Sequence, residues 1–186
     1  MKASVFIATS LDGFIARTDG DINWLDDGQQ NGGGESGEAD ENIVDHGYHD
    51  FIETVDFLVM GRNSYEKVLS FGVAWPYKKP VVVLTQRPLD IPDELATCVE
   101  AMSCSPAEII ARLGKRGAQH LYIDGGKTIQ TFLNAGLIQR LVITCIPILL
   151  GDGIPLFGPL SNDVRLRHVA TRTFEGGLVQ SEYEVA

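Results

Sequence analysis

Short apolar runs, each broken by turn residues and followed by an amphipathic stretch, set the pattern of this 186-residue chain. Runs rich in Val, Ile, Leu, Phe or Tyr predict strands at about 3–9, 56–60, 80–85, 119–123, 140–147, 165–175 and 178–185. Helical spacing between them predicts helices at about 42–55, 63–70, 105–114 and 127–135. Pro106 suits a first helical turn, and Gly114 and Gly136 suit helix ends. Strand and helix alternate through the first three quarters of the chain, which implies a mostly parallel central sheet. The last two strands flank Glu175-Gly176-Gly177 and read as a C-terminal antiparallel hairpin. The expectation is one mixed α/β domain over residues 1–186. Residues 26–40 are Gly-rich and acidic with no apolar pattern; they read as a flexible insertion, either part of a lid or a solvated loop without a role.

Two places in this pattern carry chemistry. The run Asp56-Phe57-Leu58-Val59-Met60 breaks at Gly61 and passes into Arg62-Asn63-Ser64-Tyr65-Glu66. A strand that turns there into a helix aims backbone N–H groups, the positive end of the helix dipole and the Arg62 guanidinium at one spot, which favours an anion. The same device recurs at Leu121-Tyr122-Ile123-Asp124-Gly125-Gly126-Lys127-Thr128, with Lys127 in the first helical turn. Two such turns on one sheet fit a pyrophosphate gripped from both sides. An ordinary tight βα connection is the plain alternative for either turn alone. Neither G-x-G-x-x-G nor G-x-x-x-x-G-K-[ST] is present, so neither the usual dinucleotide fold nor a P-loop is indicated.

Composition narrows the partners. A net charge of −10 argues against a nucleic-acid surface, which needs clustered Lys and Arg. Cys98, Cys104 and Cys145 lack C-x-x-C spacing and read as reduced thiols, and no metal site is expected from the four histidines. The chain lacks a signal-peptide pattern and any run of ~18 apolar residues, so no membrane span is expected and a cytoplasmic location is the simplest expectation.

Six segments in order resemble the dihydrofolate reductase fold, and within it the family of the C-terminal reductase domain of the bifunctional riboflavin biosynthesis deaminase/reductase. They are Ser10-Leu11-Asp12-Gly13-Phe14-Ile15-Ala16, Ile22-Asn23-Trp24-Leu25, Met60-Gly61-Arg62, Val81-Val82-Val83-Leu84-Thr85, Asp124-Gly125-Gly126, and the run Pro147-Ile148-Leu149-Leu150-Gly151-Asp152-Gly153-Ile154-Pro155-Leu156-Phe157. The resemblance covers nearly the whole chain. It implies a three-layer sandwich, NADPH as cofactor, and hydride transfer to a C=N bond of a pterin or pyrimidine. By position it places Gly61, Arg62 and Ser64 at the adenosine end, with Arg62 and Arg87, just past Thr85, as candidates for the 2′-phosphate. Gly125, Gly126, Lys127 and Thr128 would hold the pyrophosphate, and Asp12, Gly13 and Ile15 would line the nicotinamide. It also implies a non-proline cis peptide at Asp124-Gly125 or Gly125-Gly126.

A buried carboxylate opens the helix before the Met-Gly-Arg turn in dihydrofolate reductases, and counting back places Asp45 there. A carboxylate in an apolar pocket has a raised pKa and can hydrogen-bond a protonating heterocycle, the chemistry that C=N reduction needs. A helix cap is the plain alternative for Asp45. Trp24, Asp45 and His49 are the candidate substrate contacts. The chain has no Pro-Cys-x-x-Cys deaminase motif, and its Met-Gly-Arg turn leans to dihydrofolate reductase, whereas Ser-Leu-Asp-Gly and Leu-Leu-Gly-Asp-Gly lean to the riboflavin branch. Aminopyrimidine reduction, dihydrofolate reduction and nucleotide binding without turnover all stay open. The resemblance, together with the apolar run Ile146-Pro147-Ile148-Leu149-Leu150, implies a homodimer; burial of that run in the core is the alternative.

Overall fold

The computed structural model describes residues 1–27 and 45–186. Most of the expected Gly-rich loop at 26–40, and the first residues of the helix expected at 42–55, lie outside the described residues. In chain order the strands and helices are β1 (Lys2–Ser10), β2 (Phe14–Ala16), α1 (Trp24–Asp27), α2 (Tyr48–Glu53), β3 (Phe57–Gly61), α3 (Arg62–Ser70), β4 (Val81–Leu84), β5 (Val99–Met102), α4 (Pro106–Lys115), β6 (His120–Asp124), α5 (Gly126–Asn134), β7 (Arg140–Ile146), β8 (Ile154–Pro155), β9 (Leu166–Thr173) and β10 (Val179–Val185). Eight strands form one sheet in the order β5-β4-β3-β6-β1-β7-β10-β9. The strands from β5 to β7 run parallel, and β10 runs antiparallel to both β7 and β9. β2 and β8 make a separate two-stranded ribbon.

Strand side chains alternate between two faces, and each face collects its own helices. Val59, Val82, Leu121 and Ile123 point to the side where α4 and α5 lay down Ile109, Leu113, Ile129, Phe132 and Leu133. Leu58, Met60, Val81, Val83 and Tyr122 point the other way, against Phe51 of α2 and Tyr65 of α3. The three layers follow from that two-sided burial, since a sheet apolar on both faces needs helices on both. α4 starts where the sequence places it: Ser105 Oγ accepts the Glu108 N–H, the Glu108 carboxylate accepts the Ser105 N–H at 2.8 Å, and Pro106 follows the cap.

Several elements depart from expectation. β5 was not expected, because four residues interrupted by the exposed-edge pair Glu100–Arg116 carry too little periodicity. α2 begins only at Tyr48, after His46 and Gly47 turn through left-handed conformations at φ 52 and φ 84. The apolar run at 146–150 divides: Ile146 is buried at the end of β7, whereas Leu149 is 68% exposed.

Candidate active site

The connections place a crevice between β3 and β6. These neighbours pair in parallel with Met60 opposite Asp124. From β3 the chain passes through α3 to β4 on one side, and from β6 through α5 to β7 on the other, across β1. The two helices consequently leave on opposite faces, and the ends of β3 and β6 form the point where strand order reverses. Open parallel sheets bind ligands at such a point.

Both connections there are as short as a chain allows. Gly61 is the last residue of β3 and the cap of α3, so the helix starts at Arg62, one to two residues earlier than the sequence implied. Gly125 caps α5 in the same way. Neither cap is satisfied by a side chain, which leaves the first N–H groups of two nine-residue helices aimed into the crevice. The turns interlock through missing side chains. A Cβ on Gly125 would overlap Ser64 Oγ, one on Gly61 would lie 3.0 Å from Thr128 Oγ1, and one on Gly126 would lie 3.0 Å from Ile15 Cδ1. Ser64, Thr128, Gly61, Gly125, Gly126 and Ile15 are therefore one constellation. The cis peptide is not found: no described peptide bond is cis. Gly125 makes the turn at φ 85 and ψ 136 instead, a backbone region open to glycine, so the chain reverses with its bonds trans.

The basic residues spread along the α3 side. Arg62 Nε is 2.6 Å from Glu66 Oε1, and its Nη1 donates to the Pro88 carbonyl at 3.0 Å. That bond fixes Arg62 beside Arg87, whose turn is tied by Thr85: the Thr85 hydroxyl accepts the Arg87 N–H at 3.2 Å and contacts its carbonyl at 3.1 Å. Arg87 and Lys127 are exposed. On the other side Asp12 is a staple. Its carboxylate accepts the Ser10 hydroxyl at 2.6 Å and the N–H groups of Leu150 (3.2 Å) and Gly151 (2.7 Å), and the Ser10 hydrogen bond leads in holding it below the usual carboxylate range. The Leu156 N–H donates to the Gly13 carbonyl at 3.0 Å. Asp12 thus binds two loops to each other, and Ile15, three residues on, lies against Gly126.

The buried carboxylate is not where it was expected. Asp45 is exposed and caps α2, accepting the Gly47 N–H at 2.9 Å and the His49 N–H at 2.7 Å, and these bonds keep its pKa low. His49 is exposed beside it. Trp24 is 1% exposed, packed with Ile146 and Leu178, and so is a core residue rather than a contact surface. Asp124 is the acid at the crevice, half-buried at the surface but with little water around its carboxyl. As the last residue of β6 it lies at the reversal point, accepts the Tyr122 hydroxyl at 3.4 Å, and is raised above the ordinary carboxylate range by burial. Tyr48 and Tyr77 feel its charge: burial first, then Asp124, pushes Tyr48 up to about 12 and Tyr77 higher still. Tyr48 stacks edge-on to Tyr122 at 6.4 Å, and Tyr77 to Trp75 at 5.2 Å. The Tyr122 phenol therefore contacts this carboxyl, and Tyr48 and Tyr77 lie near enough to feel its charge. Among the described residues no cluster of potential metal ligands occurs.

Comparison with known proteins agrees with this geometry. The uncharacterized protein YwjB of Bacillus subtilis is 36% identical over 98% of this chain and 97% of its own. The crystal structure of a Shewanella sp. PV-4 protein named for riboflavin biosynthesis superposes with a TM-score of 0.89 at 41% identity, over 100% of this chain and 99% of that one. Dihydrofolate reductase from Enterococcus faecalis, solved with NADP(H), shares the fold at a TM-score of 0.64 and 20% identity, over 99% of this chain and 96% of that one. The expected dihydrofolate reductase-like sandwich is thus the fold found. Residues 2–180 match the RibD C-terminal domain, and the chain belongs to that family.

Proposed function

We propose that the protein is an NADPH-dependent reductase that delivers hydride to a C=N-type bond of a heterocycle, most like 5-amino-6-(5-phosphoribosylamino)uracil reductase. The observation that carries this reading is the pair of uncapped helix starts interlocked at Gly61–Thr128 and Gly125–Ser64, next to the carboxyl of Asp124 with little water around it. The first supplies a cradle for a pyrophosphate and the second a proton. Family membership supports reductase chemistry, since the relatives are reductase-like. Dihydrofolate remains the alternative substrate.

When bound, NADPH would supply the hydride. The N–H groups opening α3 and α5, with Lys127 and Thr128, would hold its pyrophosphate, Arg62 and Arg87 its 2′-phosphate, and Ile15 and Gly126 would wall the nicotinamide. Asp124, its pKa raised by burial, would hydrogen-bond and protonate the imine nitrogen, while the Tyr48 and Tyr77 rings would bound the slot and exclude water. Asp45 would serve this site indirectly, by fixing the start of α2.

Arg62 shares its guanidinium with Glu66, so the two arginines should act at the low end of the roughly 1.5–3 kcal/mol expected of each charge-assisted contact. NADPH is expected to bind at least about tenfold more tightly than NADH, with Arg87→Ala removing most of the difference. Calorimetric titration returning equal affinities would overturn the cofactor assignment.

Assembly as a homodimer in the cytoplasm is part of the same proposal. Ile143, Cys145, Val179, Ser181 and Thr171 share the sheet face that α4 and α5 occupy farther along, and beyond α5 this uncharged strip is partly exposed on a chain of net charge −10. Interface centres are depleted in charge in this way. Light scattering at micromolar concentration should give twice the mass of 20.3 kDa; the monomer mass would refute it.

A further inference from the structure

β6 keeps its two neighbours for different lengths. It pairs with β3 as far as Met60 opposite Asp124, but with β1 only as far as Ser4 opposite Tyr122. Where β1 and β6 part, the buried Tyr122 donates its hydroxyl to the Phe6 carbonyl at 2.8 Å and bridges the two strands. The same phenol oxygen lies 3.4 Å from Asp124 Oδ1, two residues along β6 and therefore on the same face. A phenol has one proton to give, and both of these partners accept. The shorter contact holds it. The phenol oxygen is thus left as an acceptor toward Asp124, which suits a carboxyl that carries its own proton and opposes one that has lost it.

The groups packed on this pair bring no charge near pH 7. Leu58 and Met60 flank it from β3, and Ser4 and Phe6 from β1. Burial raises Tyr48 of α2, Tyr77 before β4 and Tyr122 itself, so all three phenols keep their protons. His120, two residues before Tyr122, is lowered by burial and engaged by Ser4 Oγ at 2.7 Å and the Thr54 carbonyl at 3.0 Å. We propose that Tyr122 is the positioning residue of Asp124 and changes partner with its charge: it accepts from the protonated acid, then turns its O–H from the Phe6 carbonyl to the carboxylate once Asp124 has given its proton to the substrate nitrogen. The acid proton leaves with the substrate, the phenol keeps its own throughout, and the Phe6 carbonyl ends with one hydrogen bond fewer. A bond to a carboxylate is stronger than the neutral bond given up on Phe6, so the turn is favourable only after ionisation. One hydroxyl thereby holds the acid ready and stabilises the charge left behind.

The use made of this swap rests on the reductase reading, but the swap itself needs no substrate. Carbon-13 NMR of the full chain from about pH 4 to 9 reads the Asp124 carboxyl and the Phe6 carbonyl side by side. Both should titrate with one midpoint, and the Phe6 step should vanish in Asp124→Asn and in Tyr122→Phe. In Tyr122→Phe the Asp124 midpoint should rise by about one unit, since the carboxylate loses the stronger of the two bonds; an unchanged or lower midpoint would overturn the assignment. A phenol that merely ties β6 to β1 would leave the Phe6 signal flat while Asp124 titrates, which would overturn it as well. A Phe6 step that survives Asp124→Asn would belong to His120 and count equally against it, as would an Asp124 carboxyl with no step in that range. These last three outcomes are read in the wild type and Asp124→Asn, so they stand even where Tyr122→Phe folds poorly. The coupled titration in a protein that oxidises NADPH with no heterocycle would keep the swap and remove the reductase reading instead.

Discussion

Asp124→Asn should lower turnover by roughly two to four orders of magnitude on whichever heterocycle the protein reduces, the usual contribution of a positioned general acid. NADPH affinity should hardly change, because the helix N–H groups and the basic residues are untouched. The same substitution should stabilise the fold at neutral pH. Burial raises the Asp124 pKa above the value of 3.8 that the unfolded chain would show. Between those two values the native state binds more protons than the unfolded state, so this group's contribution to stability is full below about 3.8 and declines as pH rises through the native pKa. Asn carries no charge to bury. The variant should accordingly melt higher than the wild type near pH 7 and converge with it in acid, while losing the fall in rate with rising pH that deprotonation of Asp124 causes. Loss of turnover together with a lower melting temperature at pH 7 would show that Asp124 is a structural acceptor for Tyr122 rather than a proton donor.

How much of this could be read along the chain depends on whether the constraint is local. The turns at Gly61 and Gly125 were legible because a strand that passes straight into a helix leaves a residue signature, an apolar run ending in glycine. α4 was legible because Ser105, Pro106 and Glu108 write its cap within four residues. Sheet order was not, since β1 pairs with β6 more than a hundred residues away and pattern gives no pairing. β2, β5 and β8 span two to four residues each, too few for a period to show.

The acid was missed for the same reason. Asp124 stands inside the turn that drew attention first, yet its raised pKa comes from burial in the folded chain, which no local pattern records. Asp45 sits at the helix start that counting indicated, but only the height of α2 over the sheet decides whether such a residue caps or is buried. Here the Gly47 and His49 amides claim it. The missed signal was an acidic residue ending a strand of otherwise apolar residues, directly before a glycine pair: burial at a strand end is legible, and a charge placed there calls for a function.

Gly125→Ala should damage both binding and stability, and the two effects can be separated. At φ 85 and ψ 136 an L side chain pays backbone strain of about 1–3 kcal/mol, and the new methyl group meets Ser64 Oγ. A melting temperature lower by several degrees follows, on the scale of about 2–8 °C per kcal/mol for domains bracketing this size. Ser64→Gly, made in the same chain, removes the overlap and leaves the strain. The double variant should therefore recover part of the lost stability but little of the lost NADPH affinity, because the Cβ still stands at the mouth of α5 where the pyrophosphate oxygens must approach the N–H groups. Full recovery of affinity in the double variant would mean that only Ser64 was displaced and that the cofactor does not approach the Gly125 turn. An unchanged affinity in Gly125→Ala itself, with the melting temperature lowered, would assign the interlocked glycines to packing between α3 and α5 and would move the anion site off this crevice.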